Sequence, residues 1–285
     1  MGDELPSGVD SGGRMAAYRP RVLLSLLGGF RLEDGGAVRD LPARMQGVLA
    51  FLAVRGPISR TAVAGTLWPA VAEERALASL RTAIWRLGQR DPGLATVVGD
   101  CLALSARVGV DVQVLRSHAL RLLTPGPVRD ADLRLPPLIN AELLPGWYED
   151  WVLSERERLR QLCLHALEAL SELLILRNRY AEALEAALEA VRSEPLRESA
   201  NRAVVAVHLA EGNVVEALRH YEQFRSLLAL ELHVEPSERL MAMVSVSVPE
   251  ARRPAAAAPA RAIPGRLRRH RPGRTRRHRS RHIAS

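Results

Sequence analysis

The hydrophobic and polar positions of residues 43–68 predict two consecutive helices. Over residues 43–55, apolar side chains recur at the i, i+3, i+4 and i+7 positions of one helix face, and the segment ends at Gly56. Ser59 is a suitable N-cap for the second helix, because its hydroxyl can accept a hydrogen bond from a backbone N–H group. This helix is expected to end at Trp68, since a residue that precedes a proline is disfavoured in helical geometry.

Residues 72–90 predict a third helix with two different faces. At roughly 100° per residue, one side gathers only apolar side chains: Ala76, Leu77, Leu80, Ile84 and Leu87. A separate narrow arc carries Arg75, Ser79, Thr82 and Arg86. Arginine pairs bidentately with guanine, and Ser and Thr reach base edges or phosphates, so this arc is typical of a surface that enters a DNA groove. The alternative is a solvated face with no binding role, which is ordinary for surface helices.

Short strands are predicted on both sides of the three helices. They are residues 22–27, 30–32 and 38–41 ahead of the helices, and 96–98 and 101–104 behind them. Residues 33–36 form a turn in the leading sheet, and Gly99-Asp100 form the tight turn of the trailing hairpin. Sheet, three helices and hairpin in this order predict an OmpR-like winged helix-turn-helix, in which the hairpin is the wing.

The second half of the chain contains an internal repeat with an offset of 34 residues. Laying 162–184 over 196–218 aligns Leu162 with Leu196, Ala166 with Ala200, Ala169 with Ala203, and Glu182-Ala183-Leu184 with Glu216-Ala217-Leu218. This is the tetratricopeptide period, in which each unit is a pair of helices. The predicted pairs are 159–176 with 180–192 and 197–210 with 214–230. Small alanines let such helices approach closely, so a stacked array with a concave surface is expected.

Two repeat units are fewer than the three that such arrays usually need. Residues 112–123, 149–158 and 237–244 are therefore predicted to cap the array. Tyr180, Tyr221 and Phe224 are interpreted as core residues, because each falls on or beside an apolar stripe. The predicted fold class is mainly α, with the winged helix-turn-helix followed by a tetratricopeptide-like α-helical repeat domain.

Four segments carry a resemblance to a known family. They are LLGGFRLEDGG at 26–36, GTLWPAVAEERALASLRTAIWRL at 65–87, GVDV at 109–112 and ELHVEPSERL at 231–240. Together they resemble the antibiotic regulatory protein (SARP) family of actinomycete transcriptional activators, over residues 21 to about 245. The resemblance implies a winged helix followed by a helical bacterial transcriptional activator domain. It also implies activation near the polymerase site and control of secondary metabolism.

The resemblance also assigns DNA-binding residues. It implies that the recognition helix is the one containing Arg75, Ser79, Arg81, Thr82 and Arg86. It further implies that the hairpin around Gly99 and Asp100 touches the DNA backbone or a minor groove. Trp85 lies between the two faces of the third helix, a position from which its ring could rest on a sugar or a base edge.

Composition excludes most enzyme classes. All 40 basic residues are arginine, so a Walker A lysine, a Schiff-base lysine and a kinase strand lysine are all absent. The sequence also lacks G-x-S-x-G, H-E-x-x-H and Cys-x-x-Cys. Cys163 and His165 are two apart on a helix and point away from each other, so they are not interpreted as a nucleophile pair. We therefore expect no enzyme activity, no cofactor and no metal.

Charge divides the chain. Residues 20–110 hold 11 Arg and 7 acidic residues, net +4, whereas residues 111–250 hold 15 Arg and 22 acidic residues, net −7. This split favours nucleic acid as the partner of the first part and a protein as the partner of the second. The family resemblance implies that this protein is RNA polymerase, through its subunits. A net charge of +4 attracts DNA only weakly at physiological salt. We therefore expect that two copies bind double-stranded DNA as a homodimer, or that a partner protein helps.

The cysteines, Cys101 and Cys163, fall in different predicted domains of a chain with no secretory leader and no long apolar run. A cytoplasmic, bacterial, nucleoid-associated protein with no membrane contact is therefore expected. The predicted organisation is a disordered leader (1–20), the winged helix (21–110), the activator domain (111–246) and a disordered Arg-rich tail (247–285), with 12 Arg and no acid in 251–285.

The predicted function is a transcriptional regulator, an activator that reads promoter DNA with residues 72–90 and contacts polymerase or itself through the helical repeats. The alternative is a helical-repeat protein–protein adaptor with a vestigial winged helix. A third hypothesis is that the helical domain senses a small ligand.

Overall fold

The computed structural model describes residues 21–246. The segments predicted as a disordered leader and a disordered tail lie outside the described residues. Within the described range, two small sheets and three helices come first, and a row of helices follows.

The first part alternates short strands with helices. Its elements are β1 (Val22–Ser25), β2 (Arg31–Asp34), β3 (Ala37–Arg39), α1 (Ala43–Arg55), β4 (Ile58–Ser59), α2 (Arg60–Leu67), α3 (Glu73–Arg90), β5 (Ala95–Val98), β6 (Cys101–Leu104) and β7 (Val108–Val110). The leading sheet has the order β3-β2-β1-β7, in which β7 runs parallel to β1 and the other pairs are antiparallel. The wing sheet has the order β4-β6-β5 and is antiparallel.

The predicted bounds of the first two helices are confirmed. The Ser59 hydroxyl accepts a hydrogen bond from the Ala62 N–H at 3.3 Å, which caps α2 as expected. Gly56 ends α1 with φ of 76°, a conformation that favours glycine. The predicted turn at 33–36 is narrower in the structure, because residues 33 and 34 belong to β2. Strands β4 and β7 were not predicted.

The second part is a succession of helices. They are α4 (Asp111–Leu123), α5 (Asp150–Leu176), α6 (Tyr180–Ser193), α7 (Glu198–Glu211), α8 (Val214–Glu231) and α9 (Glu238–Val246). Helices α5 to α8 each pack on the next, and buried alanines lie at the contacts, as the repeat predicted. The predicted separation of 149–158 from 159–176 was wrong, because one uninterrupted helix covers both segments. Tyr221 and Phe224 are core residues as predicted, whereas Tyr180 is only half-buried.

Backbone hydrogen bonds join the two parts at the end of β1. The Leu144 N–H donates to the Leu26 carbonyl at 2.8 Å, and the Gly28 N–H donates to the Glu142 carbonyl at 2.8 Å. The Asp111 carboxylate at the start of α4 accepts hydrogen bonds from the N–H group of Leu26 at 3.0 Å. One hydrophobic core therefore runs from the leading sheet into α7 without a break.

A buried carboxylate adds to this junction. Glu155 on α5 is 2% exposed and contacts arginines from three helices. They are Arg55 of α1 at 3.1 Å, Arg116 of α4 at 2.6 Å and Arg158 of α5 at 3.2 Å. A buried charge is tolerated only when it is paired and hydrogen-bonded, so Glu155 holds α1, α4 and α5 in one arrangement.

Substitution of Glu155 tests this role. We expect Glu155→Ala to lower the free energy of unfolding by about 3 kcal/mol, because it breaks a buried ion pair and leaves guanidinium groups uncompensated. The control is Glu157→Ala, on the same helix, whose carboxylate is 56% exposed and pairs with Arg160. This substitution should lower the free energy of unfolding by less than about 1 kcal/mol. Urea titration measures the free energy of unfolding of both variants. Equal decreases in Glu155→Ala and Glu157→Ala would contradict the role given to Glu155.

A polar network lies between α7 and α8. Asn201 is buried, donates to the backbone carbonyls of Pro195 and Arg197, and its side-chain carbonyl lies 3.0 Å from Nε2 of His220. Burial lowers the pKa of His220, and the nearby His208 lowers it further. The neutral imidazole is therefore the form that the folded state favours.

The lowered pKa of His220 predicts the direction of a pH effect. Between the unfolded pKa of about 6.5 and the lower folded pKa, the unfolded state binds more protons, so stability falls as the pH falls. The free energy of unfolding should therefore drop between pH 7.5 and 5.5 by less in His220→Gln than in the unsubstituted protein. Equal pH slopes in the two proteins would count against this account.

Candidate nucleic-acid interface

Helix α3 packs by one face and exposes the other, as its sequence predicts. Its fully buried side chains are Ala76, Leu80, Ala83 and Leu87, and Leu77 and Ile84 are half-buried. On the opposite side Arg75, Thr82 and Arg86 are exposed and Ser79 is half-buried. We call these four residues the recognition strip. The structure therefore leaves the strip accessible.

Two further predicted residues lie beside the recognition strip. Arg81 and Trp85 are both exposed and one turn apart on α3, so they share one flank of the helix. The Trp85 side chain is 64% exposed, which is unusual for the largest apolar side chain. Its exposure is compatible with the predicted contact to a sugar or base.

A groove runs between the recognition strip and the first turn of α1. Its volume is about 370 Å³, and we call it the strip groove. Ser79, Thr82 and Arg86 line one side, and Ala43 and Arg44 line the other. Nothing in the sequence pattern indicates that α1 takes part in this surface. Arg44 therefore lies next to the predicted interface, and the periodicity of α3 could not reveal this.

The start of α1 is suited to an anion. The N-cap of α1 is Pro42, which makes no side-chain cap hydrogen bond. The Met45 N–H already donates to the Pro42 carbonyl at 2.8 Å, so the N–H groups left for an anion are those of Ala43 and Arg44, at the positive end of the helix dipole. A phosphate placed at Ala43 and Arg44 would meet these N–H groups and the Arg44 guanidinium.

Unpaired arginines are concentrated on the first three helices. Within residues 21–246, the arginines of the first part with no ion-pair or hydrogen-bond partner are Arg44, Arg60, Arg75, Arg81 and Arg86. By contrast, the arginines of residues 111–246 other than Arg134 and Arg239 all form ion pairs. The guanidinium groups that remain free to bind an external anion thus lie mainly on α1, α2 and α3.

The hairpin of β5 and β6 forms as predicted. Gly99 takes φ of 59° at its tip, where a side chain would be strained, and Asp100 completes the two-residue turn. Val97 and Val98 are exposed next to the tip. The base of the hairpin is fixed by Arg107, whose guanidinium forms an ion pair with Asp91 and donates to the Gly93 carbonyl at 2.9 Å.

Residues considered for chemistry do not form a reactive site. Cys163 is buried, and burial raises the pKa of its thiol to about 11, so the thiolate is scarce at neutral pH. His165 lies instead beside Arg197 and Glu168. Across residues 21–246, no group of His, Cys, Asp and Glu side chains is placed to hold a metal ion. The helices of that range are also too short or too polar to span a membrane.

Comparison with known proteins covers both parts of the chain. The family model described as the bacterial transcriptional activator domain matches residues 137–245. The regulatory protein AfsR of Streptomyces coelicolor is 30% identical over 217 residues, which are 72% of this chain. The chain spans only 22% of the length of AfsR.

A solved structure shares the fold. Mycobacterium tuberculosis EmbR, in complex with a low-affinity phosphopeptide, superposes with a TM-score of 0.63 at 18% identity. The similarity covers 80% of this chain and 65% of EmbR. It confirms the predicted fold class, a winged helix followed by a helical repeat domain. The family model and the AfsR relative confirm the resemblance found in the sequence, to a family of regulators and not of enzymes. The chain is therefore similar to bacterial transcriptional regulators of the antibiotic regulatory protein (SARP) family, and its residues 137–245 match the bacterial transcriptional activator domain.

Proposed function

We propose that this protein is a transcriptional activator that reads promoter DNA with α3 and contacts RNA polymerase through its helical part. The observation that carries the proposal is the group of unpaired arginines on and around α3. Exposed guanidinium groups without internal partners remain available for guanine edges and phosphates. The division into a DNA-reading domain (21–110) and an activator domain (111–246) is part of this proposal.

In the proposed complex, α3 enters the major groove. Arg75 and Arg86 contact guanine, while Ser79 and Thr82 contact base edges or phosphates. The Thr82 hydroxyl already donates to the Ala78 carbonyl at 2.9 Å, so it is left to act mainly as an acceptor. Arg81 and Trp85 contact the sugar-phosphate backbone at the edge of the groove.

The wing and α1 complete the proposed DNA contacts. At the tip of the wing, the group that contacts a phosphate is the backbone N–H of Gly99 and not the Asp100 carboxylate, which a phosphate would repel. Arg44 and the start of α1 hold a phosphate beside the recognition strip. The low positive charge of the first part favours two copies on DNA, in the bacterial cytoplasm.

Substitutions in the recognition strip test sequence reading. Arg75→Ala and Arg86→Ala should each weaken binding about ten- to a hundredfold, because one bidentate contact to guanine carries about 1–3 kcal/mol. The probe is a site that the full chain selects from a random-sequence DNA library, and the measurement is a gel-shift titration. The control is Arg219→Ala, an exposed arginine of α8 that pairs with Glu216.

Both strip variants should also remain folded. Neither side chain has an internal partner, so the free energy of unfolding should change by less than about 0.5 kcal/mol. Unchanged affinity for the selected site would refute the assignment of α3. If the library yields no enriched sequence at all, the adaptor alternative is favoured instead.

Substitution of Arg44 tests the proposed phosphate contact. Arg44→Ala should weaken binding to the selected site and to unrelated DNA by the same factor, since a phosphate contact carries no sequence information. The slope of log K against log salt concentration should fall by about 0.9, the value for one lost phosphate contact. Arg31→Ala is the control, because Arg31 is already paired with Glu33 in β2. A loss confined to the selected site would contradict this role.

A further inference from the structure

A cleft lies where the winged helix meets the helical part. Its volume is about 590 Å³. Its walls come from the first half of α1, the end of α2 with the loop that follows, and residues 147–151 at the start of α5. We call it the junction cleft. Small-molecule sites have volumes of roughly 300–1,000 Å³ and occur preferentially at such interfaces between domains.

Aromatic rings line the junction cleft. Trp68 lies on the α2 side, and Trp147, Tyr148 and Trp151 lie on the α5 side. The rings of Trp147 and Trp151 pack edge to face with their centroids 6.5 Å apart. The ring of Phe51 in α1 also packs edge to face on Trp151, with the centroids 5.1 Å apart. Tyr148 is 77% exposed. Trp147 and Trp151 hold each other in place, whereas the Tyr148 ring is exposed. A flat ring system could stack between this pair and Tyr148.

Two helical glycines keep the junction cleft open. Gly47 of α1 and Gly65 of α2 line it, and a Cβ at either position would meet no atom within 4 Å. Neither has a positive φ, so the backbone does not require glycine there. Glycine destabilises the interior of a helix relative to alanine. The two glycines therefore leave space in the junction cleft that a larger side chain would fill.

Charged groups at the junction cleft are also unpaired. Glu149 and Asp150 line it, are exposed, and have no side-chain partner among the described residues. Further along α5, the carboxylates of Glu155 and Glu157 are both paired with arginine. Arg44 on the opposite wall is the basic residue among the lining residues, so the lining carries one net negative charge. Carboxylates beside aromatic faces are the chemistry that recognises an organic cation.

We propose that the junction cleft binds a small, flat aromatic molecule that carries an ammonium group. The ring stacks between Tyr148 and the fixed pair of Trp147 and Trp151, and the ammonium group pairs with Glu149 or Asp150. The site does not depend on DNA binding, but it is connected to the DNA-binding face, because Ala43 and Arg44 line both the junction cleft and the strip groove. An occupant would therefore contact the turn of α1 that borders the recognition strip.

A series of probes that differ only in charge tests the chemical class. Isothermal titration of the full chain compares 2-naphthylmethylamine, the neutral 2-naphthylmethanol and the anionic 2-naphthoate. The amine should bind with a Kd of about 1 mM, reasonable for so small a ligand. The anion should bind at least about tenfold more weakly. Equal affinities, or no saturable binding of the amine below about 10 mM, would overturn the proposal.

Variants locate the binding. Gly65→Leu should fill the junction cleft and abolish binding of the amine, while Gly88→Leu, at an exposed glycine of α3 with equally open surroundings, should not. The double variant Glu149→Gln, Asp150→Asn should bind the amine no better than the alcohol. Circular dichroism shows whether each variant is folded. If Gly65→Leu does not fold, the double variant, whose substitutions are at exposed positions, tests the location of the site by itself. Amine binding that is unchanged in the double variant would show that the cleft is not the site.

Discussion

The arrangement of the molecule depends on the buried carboxylate of Glu155 and the core that surrounds it. Its arginine partners come from α1, α4 and α5, so movement of the winged helix on the helical part would expose or unpair a buried charge. The edge-to-face contact of Phe51 with Trp151 adds to this junction. The two parts therefore form one body, and a partner bound by the helices would lie at a set position relative to α3.

Arginine has two distinct uses in this protein. In the helical part, nearly all guanidinium groups are paired with carboxylates, as Arg197 is with Glu168 at 2.7 Å. On α1, α2 and α3, by contrast, most arginines have no partner, and the exceptions are Arg55, which pairs with Glu155, and Arg90, which donates to the Asp40 carbonyl. Because both parts contain many arginines, net charge separates them only coarsely. The ion pairs seen in the structure make the distinction clearer. Arginines paired with carboxylates stabilise the fold, whereas unpaired arginines remain available to bind DNA.

Local signals explain what could be predicted from the sequence. The ends of α1 and α2 follow from Gly56, Ser59 and Pro69, and the faces of α3 follow from its helical period. Strand β7 has three residues and pairs with β1 far earlier in the chain, so no local pattern marks it. Glu155 lies in a run of alternating charges, and its partners Arg55 and Arg116 are distant in sequence. Arg44 lies beside the recognition strip only because the packing of α1 brings it to α3.

The most direct test of DNA reading by α3 is guanine methylation interference on a site selected by the full chain. A guanidinium that binds guanine approaches N7 in the major groove, so methylation of N7 should block binding at particular guanines. The account predicts that Arg75→Ala abolishes interference at one guanine, Arg86→Ala at another, and each leaves the remaining pattern unchanged. Interference patterns that are identical in all three proteins, or no interference in the major groove, would contradict the account.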